Sequence, residues 1–85
     1  MSYQVGLHRR VGRALKRLPA NDAQRIGQAL RALIEEPRPS GAKKLAGVAT
    51  WRLRVGEYRI LYVIFDRQEL ITVEHVERRT THTYD

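Results

Sequence analysis

An 85-residue chain without cysteine has room for one small core and excludes disulfides, thiolate nucleophiles and thiolate-built zinc sites. Its 16 Lys and Arg against 9 Asp and Glu give a net charge of +7 and a pI near 10.6, a balance that suits an anionic partner. With 42% hydrophobic and 29% charged residues the composition excludes wholesale disorder, and the apolar run at 60–65 is too short to span a bilayer.

In chain order, Tyr3, Val5 and Leu7 alternate with Gln4 and Gly6, the period of a short first strand. From about His8 the period lengthens: Val11, Ala14, Leu15 and Leu18 form one helical stripe, which ends near Pro19. Asn21 followed by Gln24 matches a capping box, and Ile26, Leu30, Leu33 and Ile34 give a second stripe that Pro37 stops. Residues 37–50, punctuated by proline and glycine, are expected as a crossing loop with Leu45 tucked inward. Strands follow at about 50–55, 58–66 and 69–77, with turns at Gly56-Glu57 and Asp66-Arg67-Gln68. The expected fold is α+β in the order β-α-α-β-β-β, one domain over 1–85, its antiparallel sheet covered on one face by the helical hairpin.

Alternation decides where the cations can point. In 51–55, Trp51, Leu53 and Val55 share one face, Arg52 and Arg54 the other; in the next strand Arg59 lies with Leu61, Val63 and Phe65. In the last strand Ile71, Val73, His75 and Glu77 have the parity of Arg79. Trp51, Tyr58 and Tyr62 have apolar neighbours, which favours sheet packing over base stacking. Parity allows Arg52, Arg54, Arg59 and Arg79 to share one surface but leaves the register open. Glu57, Asp66, Glu69, Glu74 and Glu77 are the available internal counter-charges. Lysine is confined to Lys16, Lys43 and Lys44, so the excess charge is arginine, whose planar fork binds phosphate in a bidentate way.

The same element order, with "KKLAG" before the sheet, "WRLRVGEYRILYVI" across its central hairpin and "VERRTTHTY" at the end, resembles the RelE/ParE family of bacterial toxins. The resemblance implies a microbial-ribonuclease-like fold, a neutralising antitoxin partner and one of two activities. RelE-like members cut messenger RNA in the ribosomal decoding site; ParE-like members inhibit DNA gyrase. The RelE-like resemblance implies Arg52 and Arg54 as paired basic residues, Arg59 as the central-strand arginine, Arg79 as the arginine after the last strand and Tyr84 as the C-terminal tyrosine, with His82 the alternative to Tyr84. These six are the candidate catalytic residues, and Lys43, Lys44, Arg52, Arg54, Arg59, Arg78 and Arg79 the candidate RNA-binding ones. Operator DNA is expected as a partner only through the antitoxin complex.

RNA transesterification needs a base at the 2′-hydroxyl, positive charge at the phosphorane and an acid for the leaving oxygen. Arginine supplies the charge but stays protonated, so Arg52 and Arg54 are poor bases; Tyr84, His82, Glu57 and Glu77 are the alternatives. His8, His75 and His82 are scattered without paired carboxylates, and the glycines form no phosphate-cradling loop, so no metal or cofactor is expected. The opening residues lack the apolar stretch of a secretion signal, and a reducing cytoplasm is the expected setting, away from any membrane. A gyrase inhibitor and a non-catalytic antitoxin-binding module are the alternative functions.

Overall fold

The computed structural model describes residues 2–79. Its elements are β1 (Gln4–Leu7), α1 (Arg9–Arg17), α2 (Ala20–Glu35), β2 (Lys43–Lys44), β3 (Thr50–Val55), β4 (Tyr58–Phe65) and β5 (Leu70–Arg78). They form a five-stranded sheet in the order β1-β5-β4-β3-β2, with α1 packed on β5 and β1 and α2 on β1 and β3.

The α+β class and the two helices on one sheet face are as expected, and three details differ. The sheet is mixed, because β1 runs parallel to β5. Tight turns fix direction only within β3–β5; the helical hairpin returns the chain freely to the other end of the sheet, where β1 joins as an edge. The 37–50 connection is not all loop either: Lys43 and Lys44 pair with Arg52 and Trp51 as a second edge strand. The Asn21 capping box is absent. α2 begins at Ala20 with Pro19 in the capping position and no side-chain cap bond, and Ala23 N–H closes the first turn on the Pro19 carbonyl at 3.0 Å. Proline's fixed φ, here −54°, starts the helix two residues before an Asn21 cap would. Asp22, in that first turn, instead accepts from the Tyr58 hydroxyl at 3.1 Å.

Val11 from α1 and Ile26, Leu30 and Leu33 from α2 close onto Tyr58, Ile60, Tyr62, Ile71 and Val73 of the sheet, and all are buried. Leu53 and Val55 pack partly buried beside them, as does Trp51, so the three aromatics Trp51, Tyr58 and Tyr62 belong to the helix-facing side. The Tyr62 hydroxyl, in the core, donates to the Pro37 carbonyl at 2.8 Å, which satisfies a polar group that burial would otherwise penalise.

The two hairpins turn differently. Val55 pairs with Tyr58, leaving a two-residue loop in which Gly56 has φ +58°, a conformation glycine adopts without Cβ strain. The β4–β5 loop is four residues, 66–69, closed by Glu69 N–H on the Asp66 carbonyl, with Glu69 itself at φ +51°. Between Leu61 and Tyr62 the β4–β5 register slips: Leu61 pairs with His75 but Tyr62 with Val73, so Glu74 is an extra residue on β5. This bulge breaks the simple parity of the last strand. Ile71 and Val73 face the helices, whereas His75 and Glu77 turn to the opposite face.

Candidate active site

The register places Arg52 opposite Leu61, Arg54 opposite Arg59 and Arg59 opposite Glu77. Directly paired residues project from the same side of a sheet, so Arg52, Arg54, Arg59 and Glu77 share the face turned away from the helices. Two rows result. Lys43, Arg52, Leu61 and His75 cross four strands; Arg54, Arg59 and Glu77 cross the next rung. The sequence leads to this because Val55-Gly56-Glu57-Tyr58 fixes a two-residue turn, which locks Arg54 against Arg59.

Like charges directly opposed on neighbouring strands repel, with Cβ atoms roughly 4.5–5.5 Å apart, and contribute against stability. The Arg54–Arg59 pairing therefore sets two like charges side by side on this face. Arg54 is exposed, Arg59 half-buried and Arg52 only 6% exposed. Arg59 Nε lies 3.7 Å from Glu77 Oε1, with the arginine side chain 16% and the glutamate 43% exposed. That distance is an ion pair without a hydrogen bond.

The other candidates divide. Arg79 continues past β5, its N–H donating to the Glu57 carbonyl at 2.6 Å, and it is exposed at the turn end of the same hairpin. Lys43 stands beside Arg52 on the basic face. Lys44 pairs with Trp51 and so has helix-facing parity, and its Nζ donates to the Val48 carbonyl at 2.8 Å. Arg78, opposite Tyr58, also has helix-facing parity. The structure thus brings Lys43, Arg52, Arg54 and Arg59 together and sets Lys44 and Arg78 apart from them. Tyr84 and His82 lie outside the described residues.

Two features went unread in the sequence. His75 is half-buried, and its Nε2 lies 3.0 Å from an Arg10 guanidinium nitrogen, while Arg10 Nε and N–H also reach His8 Nδ1 at 2.9 and 3.1 Å. A guanidinium has only protons to give, so His75 Nε2 accepts. The second is the bulge at Glu74, which aims both His75 and Glu77 at the basic face. Its signal was available: five apolar or β-branched residues at 70–73 and 76 do not keep one alternation through Glu74-His75. Among the described residues no group of three His, Asp or Glu converges as metal ligands do.

Comparison with known proteins places this geometry. The family model of the ParE toxin of type II toxin–antitoxin systems, parDE, matches residues 5–82. The putative toxin RelE1 of Methanocaldococcus jannaschii is 29% identical over 83 residues, covering 93% of this chain and 92% of that protein. Toxin in the archaeal RelE–RelB complex from Pyrococcus horikoshii superposes with a TM-score of 0.86 at 29% identity, covering 95% of this chain and 99% of the other. The RelBE2 toxin–antitoxin complex from Mycobacterium tuberculosis gives 0.83 at 27%, covering 93% and 100%. Isolated RelE from E. coli, at 20% identity and a TM-score of 0.81 over 93% of this chain and 86% of that one, shares the fold. With the matched model spanning nearly all of the sheet and both helices, the chain belongs to the RelE/ParE family of type II toxin–antitoxin toxins.

Proposed function

We propose that this toxin is a ribosome-dependent endoribonuclease that cleaves messenger RNA in the decoding site by metal-independent transesterification and so stops translation. The observation that carries the reading is the pairing of Arg54 directly against Arg59, with Arg52 and Lys43 on the adjoining rung of the same face. A phosphate chain lying across these rungs meets the positive groups of Lys43, Arg52, Arg54 and Arg59 on one face, and the planar guanidinium fork suits its oxygens. In this reading Arg59 and Arg79 hold the scissile phosphate and stabilise the phosphorane, while Arg52 and Arg54 orient the strand. Tyr84 and His82 are candidates for proton transfer at the leaving oxygen. The cytoplasm, where ribosomes and message are, is the matching location.

The partner that keeps such a protein silent is a cognate antitoxin. A segment rich in Asp and Glu suits the +7 chain, and β1 offers an edge strand with Leu7 45% exposed. Beside that edge an apolar groove of about 310 Å³ is lined by Val5, Leu7, Leu15, Leu30 and Ile34. Operator DNA would be met through that complex.

Toeprinting on translating ribosomes tests the activity. Wild type is expected to generate new message ends that vanish with Arg59→Ala, and an uncut message with wild type removes the reading. The ParE description of the matched family favours gyrase inhibition as the second reading. A supercoiling assay unaffected by excess protein excludes it.

A further inference from the structure

An outer face furnished with arginine is rich in phosphate-binding charge and poor in proton acceptors, since guanidinium stays protonated at working pH. Into the Arg54–Arg59 rung of this face β5 inserts a carboxylate, Glu77. The paired outward positions of β2 to β5 are Lys43, Thr50, Arg52, Arg54, Arg59, Leu61, Val63, Phe65, Leu70, Thr72, His75 and Glu77, and Glu77 is the sole acid among them. It gets there through the bulge. Without the extra Glu74, strict alternation from Ile71 and Val73 would turn Glu77 towards the helices.

A carboxylate beside Arg59 works against phosphate affinity, so charge recognition alone does not account for it. Nor does it clamp Arg59, because the 3.7 Å approach is not a hydrogen bond and nearly half of the Glu77 side chain remains open to solvent. We propose that Glu77 is the general base of the cleavage reaction, an inference that rests on the ribonuclease reading above.

In the step, a Glu77 carboxylate oxygen takes the proton of the ribose 2′-hydroxyl while O2′ attacks phosphorus. The O2′–P bond forms and the P–O5′ bond breaks. The departing O5′ takes a proton from water, and the hydroxide left behind recovers the proton from Glu77. The products are a chain ending in a 2′,3′-cyclic phosphate and a chain beginning with a 5′-hydroxyl. Arg59, adjacent to Glu77 in the same rung, neutralises the phosphorane as it forms.

The test is single-turnover cleavage of a ribosome-bound message at varied toxin concentration. For Glu77→Gln the rate at saturating toxin is expected to fall at least about 100-fold, with the half-saturating concentration within about two-fold of wild type. Glu77→Ala is expected to regain rate when formate is added, and wild type to be indifferent to it. Thermal midpoints of both variants report whether they fold. If Glu77 only balances charge, Glu77→Gln instead binds more tightly and cleaves at a rate within about five-fold of wild type, and formate restores nothing; either result overturns the inference while wild-type cleavage upholds the ribonuclease reading. Absence of cleavage by wild type overturns both.

Discussion

The Arg38–Asp66 and Arg59–Glu77 pairs at this sheet differ in kind. Arg38 sends two guanidinium N–H groups to both oxygens of Asp66, at 3.2 and 2.7 Å, and the Tyr3 hydroxyl adds a third bond to Asp66 at 2.7 Å. The Arg38 guanidinium also lies 5.4 Å from the centre of the Trp51 ring. That assembly ties three separate segments: the residue before β1, the loop after α2 and the β4–β5 turn. Arg59 and Glu77 meet at 3.7 Å with Arg54 directly opposite Arg59. The first geometry is complete within the chain and acts as a tie. The second is a single longer approach with a like charge on the neighbouring strand. Counting arginines does not separate the two; bidentate geometry and the sign of the neighbours do.

Breaking each pair should therefore give opposite phenotypes. The largest effect is expected from Arg59→Ala, which removes cleavage by about 100-fold to 1000-fold, the range for a lost oxyanion-stabilising donor. Its thermal midpoint should change little, because loss of the 3.7 Å approach to Glu77 is offset by relief of the like-charge contact with Arg54. A marked fall in midpoint with activity retained would reverse the assignment of the two regions. Tyr62→Phe comes next and acts on the tie from beneath. It deletes the buried hydrogen bond to the Pro37 carbonyl, one residue before Arg38, and should cost about 1–2 kcal/mol in denaturant unfolding. Burial pushes the Tyr62 hydroxyl up to about 12, from an ordinary value of 10. Its contribution is thus complete below pH 10 and drains as pH climbs from 10 to 12, so Tyr62→Phe should flatten the alkaline limb of stability.

Asp66→Asn should lower the thermal midpoint less than Tyr62→Phe, leaving cleavage intact. The Arg38 hydrogen bonds first, then that of Tyr3, hold the Asp66 carboxyl below its ordinary value of 3.8. A depressed carboxyl stabilises above the unfolded value and loses that contribution as pH falls through the folded one. The acid limb of stability below about pH 4 should then be shallower in Asp66→Asn than in wild type, as read by circular dichroism against pH.

The sequence made the β3–β4 hairpin legible as two alternating strands about Gly56-Glu57 but left its register open, which the Val55–Tyr58 pairing settles. Alternation showed which arginines can share a face. It did not show that Glu77 joins them, since a bulge at Glu74 shifts parity within a strand whose ends look regular. The tie was hidden for another reason. Tyr3, Arg38 and Asp66 are brought together by the parallel β1–β5 pairing, and no short-range pattern encodes a contact between residues 63 positions apart. In the sequence Asp66 is merely one of five acids able to answer the sheet arginines; long-range topology, not charge, assigns it to Arg38.

Tyr3→Phe should have the smallest effect and define the tie most sharply. The Tyr3 hydroxyl is held above its ordinary value chiefly by its hydrogen bond to Asp66, the reciprocal of its part in depressing the carboxyl. Removing it leaves both Arg38 bonds to Asp66 in place, so the midpoint should fall only slightly and the acid limb should persist. If the three groups act as one unit, Tyr3→Phe has a smaller effect in an Asp66→Asn background than in wild type, because the acceptor charge that gave its bond strength has gone. Additive losses would mean that Tyr3 stabilises through packing alone. The tie would then reduce to an Arg38–Asp66 pair, and the contrast with Arg59–Glu77 would rest on bidentate geometry by itself.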